Sequence, residues 1–144
     1  MISVMVSREF EVSAQQMWDL LGNFGDISWA PGMDRVEVEG SGPGMVRKIY
    51  MDSDGESIDE VLESMDAENM SFIYTIPRNL PMPITQYRAG PTIIDLGEGR
   101  CRVDWRGSGE PNGVSDSEAE ATMKGFYDLL LGWVDDHFQV GQTA

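Results

Sequence analysis

From Arg35 onward the chain keeps a two-residue hydrophobic rhythm for about half its length, and that rhythm restricts the fold more than any other feature. Val36 and Val38 alternate with Glu37 and Glu39, and further stretches follow at Met45–Met51, Glu56–Met65, Met70–Ile76, Ile84–Leu96 and Arg100–Gly107. Such alternation predicts strands with one face buried. The breaks are turn-formers: Gly40-Ser41-Gly42-Pro43-Gly44, Asp52-Ser53-Asp54-Gly55, Asp66 to Asn69 and Gly97-Glu98-Gly99. Pro77, Pro81 and Pro83 bracket a loop, because proline cannot donate to a central ladder. Beyond Pro111-Asn112-Gly113 the period becomes helical, with Met123, Phe126, Tyr127, Leu130, Val134 and His137 or Phe138 on one side. Leu131 and Trp133 widen that arc. Ser115 or Ser117 caps this helix, which is expected to end before Gly141. A meander of this length exposes a broad apolar face, and the long helix is the only later element able to cover it.

The first 34 residues complete the pattern. Ile2 to Val12 reads as a strand. Ser13, with Gln16 three residues later, forms a capping box for a short helix through Met17, Trp18, Leu20 and Leu21, ending near Gly22. Asn23 is expected to cap a second short helix carrying Phe24, Ile27 and Trp29, stopped by Pro31-Gly32. The expected fold class is therefore α+β: a curved antiparallel sheet of six to seven strands around a long C-terminal helix, with two short helices after strand 1. A chain of 144 residues suits one domain, 1–144. The concave space between sheet and helix is where ligand sites form.

Charge narrows the partners. There are 25 acids against 10 bases, a net charge of −15. Nucleic acids and anionic membranes are recognised through Lys and Arg, so neither is an expected partner. The acidity is read as a device for solubility, with docking of a basic partner as the other use. Cys101 is the only cysteine, which excludes an intramolecular disulfide. Arg100 and Arg102 flank it and would lower its pKa if they faced it; a packed thiol is expected instead. Met1 to Phe10 has no signal-peptide character, no apolar run is long enough to span a membrane, and a cytoplasmic location is expected. Asp52, Asp54 and Glu56 echo a calcium loop but lack the remaining ligands, so no metal is expected. The glycine run at 40–44 joins strands rather than opening a helix, so it is no phosphate cradle. His137 suits a helix terminus without catalysis. No cofactor is expected.

Arg47 and Glu60 are the most informative pair. If the turn is Asp52 to Gly55, they lie directly opposite each other. If Asp54-Gly55 alone turns, Arg47 faces Leu62 and Glu60 is its diagonal neighbour. In either register both share a face with Ile49, Met51, Ile58 and Leu62, while Lys48, Ser57, Asp59 and Glu63 take the other. A buried ion pair is costly and seldom present for stability alone. It would anchor a ligand carboxylate or carbonyl, or act as an acid–base pair. Trp105 is expected to face inward with Cys101 and Val103; a one-residue shift would turn Asp104 and Arg106 inward instead. Met33, Met51, Met82 and Met123 suit an adaptable cavity as well as a plain core.

Several stretches together resemble the START-like/Bet v 1-like (SRPBCC) superfamily, particularly its polyketide cyclase/dehydrase branch. They are Val12-Ser13-Ala14 leading to Met17-Trp18; Phe24 to Trp29-Ala30-Pro31-Gly32; Gly42-Pro43-Gly44-Met45-Val46-Arg47; Glu60-Val61-Leu62-Glu63 with Asp66; Phe72 to Ile76; and the long closing helix. The resemblance implies a helix-grip fold with an internal hydrophobic cavity and places Tyr74, Ile76 and Tyr87 on its wall. It also places Pro77–Pro83 where related receptors carry a mobile loop, here stiffened by three prolines. The expected ligand-binding set is Trp29, Met33, Arg47, Ile49, Glu60, Leu62, Tyr74, Ile76, Tyr87, Ala89, Trp105, Phe126, Tyr127 and Leu130. Members of this superfamily include carriers, receptors, aromatases and cyclases, and fold alone does not choose among them. Binding of a small lipid- or polyketide-like molecule ranks first, by a protein that is a monomer or homodimer. A cyclase- or aromatase-type lyase using Arg47, Glu60 and Tyr87 ranks second, and an acidic protein-interaction module third.

Overall fold

The computed structural model describes residues 1–143, with side chains through residue 139. The chain runs β1 (Ile2–Phe10), α1 (Ala14–Leu21), β2 (Arg35–Glu39), β3 (Val46–Tyr50), β4 (Ile58–Asp66), β5 (Ser71–Arg78), β6 (Ile84–Gly97), β7 (Arg100–Pro111) and α2 (Asp116–Thr143). One antiparallel sheet takes all the strands in the order β1-β7-β6-β5-β4-β3-β2. The meander thus pairs neighbour with neighbour, and β1 closes on β7 at the far edge. The 28 residues of α2 span about 42 Å at the usual helical rise. This is the helix-grip arrangement.

Local chemistry explains the elements. The Ser13 side chain accepts from the Gln16 amide while Gln16 Oε1 accepts from the Ser13 amide, completing the capping box of α1. Ser115 caps α2 through the Glu118 amide, and Asp116 and Glu118 stand in the first turn, as the helix dipole favours. Bulges set the parity of the strands. Between Thr85 and Arg88 the register to β7 slips by one residue at Gln86, whose φ is 55°. Ile84 therefore faces the core before the bulge and Tyr87, Ala89, Pro91 and Ile93 face it afterwards.

Three boundaries differ from the sequence reading. Residues 23–30 form turns, not a second helix: the Asp26 amide bonds to the Asn23 carbonyl and the Ala30 amide to the Ile27 carbonyl. Gly25 loosens the segment, and the Asp26 carboxylate takes the Ser28 amide, which competes with helical bonding. Pro77 lies inside β5, beyond the last residues paired with β6 (Thr75 with Arg88), where a missing donor costs little. The helix α2 continues to Thr143, past Gly141; one glycine costs about 1 kcal/mol in a helix, too little by itself to end it.

The core is continuous from β1 to α2. Met17, Cys101, Val103, Ala119, Met123, Tyr127, Leu131 and Val134 are fully buried. Burial raises the Cys101 thiol to about 11, with Asp95 adding to the effect, so it is a packed thiol. α2 packs on β1 and β7, with Arg8 bonded to Asp135 at 3.1 Å. α1 packs on β6 and β7. Trp105 points inward and is 1% exposed, as its hydrophobicity requires. Asp104 is also buried, but on the outer face, beneath Arg102 and beside Ser7, whose hydroxyl donates to it at 2.7 Å.

Two glycines mark close approaches. A β-carbon on Gly90 would stand 1.8 Å from the Phe72 carbonyl oxygen, and one on Gly107 would meet the Tyr127 hydroxyl at 1.8 Å. Gly90→Ala is expected to lower stability by about 2 kcal/mol, as overpacking typically does, read from the urea midpoint at unchanged m-value. A smaller side chain on α2 cannot rescue it, because its obstacle is backbone.

Asp104 sets a pH dependence. Burial raises its pKa, but hydrogen bonds from Arg102 and Ser7 and the charges of Arg102 and Arg106 more than offset that, and the net shift is downward. A carboxyl depressed in the folded state contributes stability above its unfolded value, about 3.9. That contribution is lost as pH falls through the lower folded value. Asp104→Asn should therefore be less stable than wild type at pH 7, and the gap should close as both are titrated below pH 4 in urea melts.

Candidate functional site

The helix does not cover the whole sheet. On the β3–β5 side the sheet curves away from α2 and leaves a cavity of about 370 Å3. Its floor is Arg47 and Ile49 of β3, Ile58 and Glu60 of β4, and Tyr74 and Ile76 of β5. Trp105 closes the inner end from β7. The turns at 27–33 supply Ile27, Trp29, Ala30, Pro31 and Met33, and the loop after β5 supplies Leu80, Pro81 and Met82. Thr122, Phe126, Leu130 and Trp133, one stripe of α2 at helical spacing, form the roof. Met51, Pro81 and Phe126 are solvent-exposed and mark the mouth.

Arg47 organises the floor. It stands opposite Glu60, the register expected from an Asp52–Gly55 turn. Its Nε donates to Glu60 Oε1 at 2.5 Å and its Nη1 to the Phe24 carbonyl at 2.9 Å. The guanidinium lies 4.0 Å from the Phe24 ring centroid and 5.5 Å from that of Tyr74, within cation–π range. Arg47 is 5% exposed, so the pair is buried and formally neutral.

The expected ligand-binding residues divide into two groups. Trp29, Met33, Arg47, Ile49, Glu60, Tyr74, Ile76, Trp105, Phe126 and Leu130 line the cavity. Leu62, Tyr87, Ala89 and Tyr127 face the interior but lie behind the wall, and this corrects their placement. Leu62 lies on β4 beyond Glu60, its backbone tied to Gly44 and Met45, and is buried in the core opposite Tyr74 of β5. The hydroxyls of Tyr87 and Tyr127 bond to each other between β6 and α2. Ala89 pairs with Tyr74 across the sheet and is buried. Of the methionines weighed for the cavity, Met33, Met51 and Met82 line it, while Met123 is core. Sequence reasoning missed Ile27, Ala30 and Pro31, which lie beside Trp29 in the turns first read as a helix. It also missed Leu80 and Pro81 in the proline loop, and Thr122 and Trp133, which share the helical stripe of Phe126 and Leu130.

The tyrosines are poor acids here. Burial pushes Tyr74 and Tyr87 well above the ordinary phenol value, and Tyr127 upward as well. They remain protonated donors at neutral pH. The proline loop is fastened to the β3–β4 turn: Asn79, at φ 61°, donates from Nδ2 to the Ser57 carbonyl at 2.9 Å and to Glu56 at 3.2 Å. Asp52 caps its own turn through the Asp54 amide, and Glu56 pairs with Arg78. Among the described residues no cluster of three or more His, Cys, Asp or Glu is placed to hold a metal ion, and no helix is long and apolar enough to cross a membrane. His137 is exposed, beside Phe138, and does not line the cavity.

No curated protein sequence matches this chain. Among solved structures, an uncharacterised protein from Bacillus thuringiensis is 28% identical, with a TM-score of 0.83 over 96% of this chain and 99% of that one. The protein XoxI from Bacillus cereus is also 28% identical, with a TM-score of 0.82 over 96% of each chain. At 16% identity, norcoclaurine synthase from Thalictrum flavum shares the fold, with a TM-score of 0.64 over 78% of this chain and 70% of that one. The family model described as polyketide cyclase/dehydrase and lipid transport matches residues 1–138. The chain belongs to that family and has a hydrophobic ligand-binding helix-grip fold.

Proposed function

We propose that this protein binds a small lipid- or polyketide-like molecule in the cavity between β3–β5 and α2. The observation that carries the reading is the cavity itself: about 370 Å3, walled mainly by aliphatic and aromatic side chains, with one fixed guanidinium in its floor. A volume of this order suits small-molecule sites, which are largely apolar with a few placed polar groups. Apolar contact supplies the affinity. Arg47 orients the ligand: two of its five N–H groups are bonded to Glu60 and the Phe24 carbonyl, leaving donors for a ligand oxygen. Trp29, Phe126 and Trp133 add flat faces suited to rings or unsaturated chains. Acid–base chemistry has less support. General catalysis favours groups with pKa values near the working pH, whereas the tyrosines are shifted away from it and Tyr87 lies off the wall.

Native mass spectrometry of the purified protein should reveal a discrete apolar adduct, released on denaturation. Ile76→Trp, which fills the cavity from β5, should lose the adduct while keeping the fold by circular dichroism. Equal loading of wild type and Ile76→Trp would overturn the assignment of the ligand to this cavity.

Arg47→Ala leaves Glu60 as an unpaired buried carboxylate and the Phe24 carbonyl without its donor. Removing one partner of a buried pair costs about 3–5 kcal/mol, and the loss should appear in the urea midpoint. The double variant Arg47→Leu with Glu60→Leu should recover most of that stability but not ligand loading. Recovery of both would show that the pair serves the fold alone.

A further inference from the structure

The outer face of the sheet, turned away from the cavity, has a hollow centred on Gly90 of β6. Arg88 and Thr92 flank Gly90 along the strand, and Arg106 of β7 stands directly across from it. Ser71 and Ser108, the cross-strand partners of Thr92 and Arg88, share this face. Toward β5 no pair forms between Ser71↔Thr92 and Tyr74↔Ala89, so the ladder is open at the same point. No side chain can fill the centre, because a β-carbon on Gly90 would stand 1.8 Å from the Phe72 carbonyl oxygen. The result is a depression of about 280 Å3 lined by these residues.

Its charge is the reverse of the protein's. The chain carries 25 acids and 10 bases, yet the charged residues lining the hollow are two arginines and no acid. Both guanidiniums keep donors to spare. Arg88 gives its Nε–H to Glu63 at 2.8 Å, and Arg106 gives its Nε–H to the Met5 sulfur at 3.5 Å. Nη2 of Arg106 is 4.0 Å from Asp104, beyond hydrogen-bond reach. Asp104 is already held by Arg102, which bonds both its oxygens at 2.9 and 3.3 Å. Around the hollow, Arg88, Arg102 and Arg106 thus face Glu63 and Asp104, a local excess of positive charge. Acids more than about 8 Å away are largely screened at physiological salt.

The number of donors selects the kind of anion. A carboxylate has two oxygens, which one guanidinium fork satisfies. Two guanidiniums and the hydroxyls of Ser71, Thr92 and Ser108 offer more than that around one depression. A phosphoryl group brings three strong acceptor oxygens, enough to take from both arginines and a hydroxyl together. We propose that the hollow is a second binding site, for the phosphoryl group of a small soluble phosphate ester held between Arg88 and Arg106 over Gly90. A net charge of −15 opposes approach to an anionic bilayer, which favours a soluble ester over a lipid headgroup.

Inorganic phosphate is the probe, titrated at pH 7 and constant ionic strength into the isotope-labelled full chain while the amide spectrum is followed. Saturable shifts are expected at the Gly90, Thr92 and Ser108 amides, with a dissociation constant on the order of 1 mM, as suits a few charge-assisted bonds at an open site. Arg88→Gln and Arg106→Gln should each weaken binding about tenfold, the loss expected for one charge-assisted contact. These side chains are 54% and 61% exposed, so neither variant endangers the fold. Arg35→Gln, which removes the same charge from β2, should leave the constant unchanged. Acetate should bind about tenfold more weakly than phosphate. Absence of saturable shifts, an equal response to acetate, or an unchanged constant in both Arg88→Gln and Arg106→Gln would overturn the site. Flotation with phosphatidate vesicles tests the other source of the same group, and the protein should stay behind. Co-flotation that is lost in Arg106→Gln would assign the site to a lipid headgroup and overturn the soluble ester.

Discussion

The guanidinium of Arg47 joins β3, β4 and the turn segment after α1 at one point of the cavity floor. It ties β3 to β4 through Glu60, holds the turn segment after α1 through the Phe24 carbonyl, and stacks on Phe24 and near Tyr74 of β5. Residues 23–30 have no helical ladder of their own, only isolated turns. Their position over the sheet therefore depends on side-chain anchorage: Phe24 packed on Phe72 and Tyr74, and its carbonyl held by Arg47. Since Ile27, Trp29 and Met33 extend from that segment to wall the cavity, one buried cation fixes both the floor and one side of the site. A buried ion pair is a poor way to gain stability, but it is a directional way to set where a flexible segment lies.

The second constraint is the division of labour along α2. Met123, Tyr127, Leu131 and Val134 lie in the core, with Gly107 of β7 making room for the Tyr127 hydroxyl. Thr122, Phe126, Leu130 and Trp133 turn toward the β3–β5 side and line the cavity. One helix thus closes the core along one stripe and leaves the cavity open along the next. The exposure of Phe126, 37%, follows from this position at the mouth and needs no protein partner to account for it.

Much of this was legible in the sequence because it follows from strict local rules. The two-residue period told which face Arg47 and Glu60 share in either of the two registers open to the hairpin, and the structure sets them directly opposite, as an Asp52–Gly55 turn requires. Hydrophobicity alone turned Trp105 inward. The Ser13–Gln16 box and the turn-separated meander needed no tertiary information. What was not legible depends on contacts distant in the chain. Asn23 to Trp29 carries apolar residues at helical spacing, yet Asp26 and Gly25 favour turns once Arg47 holds the Phe24 carbonyl. Facing inward did not by itself distinguish cavity wall from packed core. Tyr87, Ala89 and Leu62 obey the same alternation as the wall residues, and Tyr127 lies next to the wall residue Phe126 on α2, yet all four are packed in the core, the two tyrosines joined through their hydroxyls.

The same geometry bears on how a ligand passes the mouth. The loop after β5 carries Leu80, Pro81 and Met82 onto the wall, and Asn79 fastens it to the Ser57 carbonyl from a left-handed backbone position that asparagine tolerates. Swinging this loop outward would break that bond and expose Leu80. Met51 and Phe126 at the rim have no such tether and are more exposed. Side-chain rotation is far faster than loop displacement, and methionine has three rotatable bonds with which to yield. A ligand of the kind proposed above would therefore enter more easily past Met51 and Phe126, with the proline loop acting as a fixed jamb.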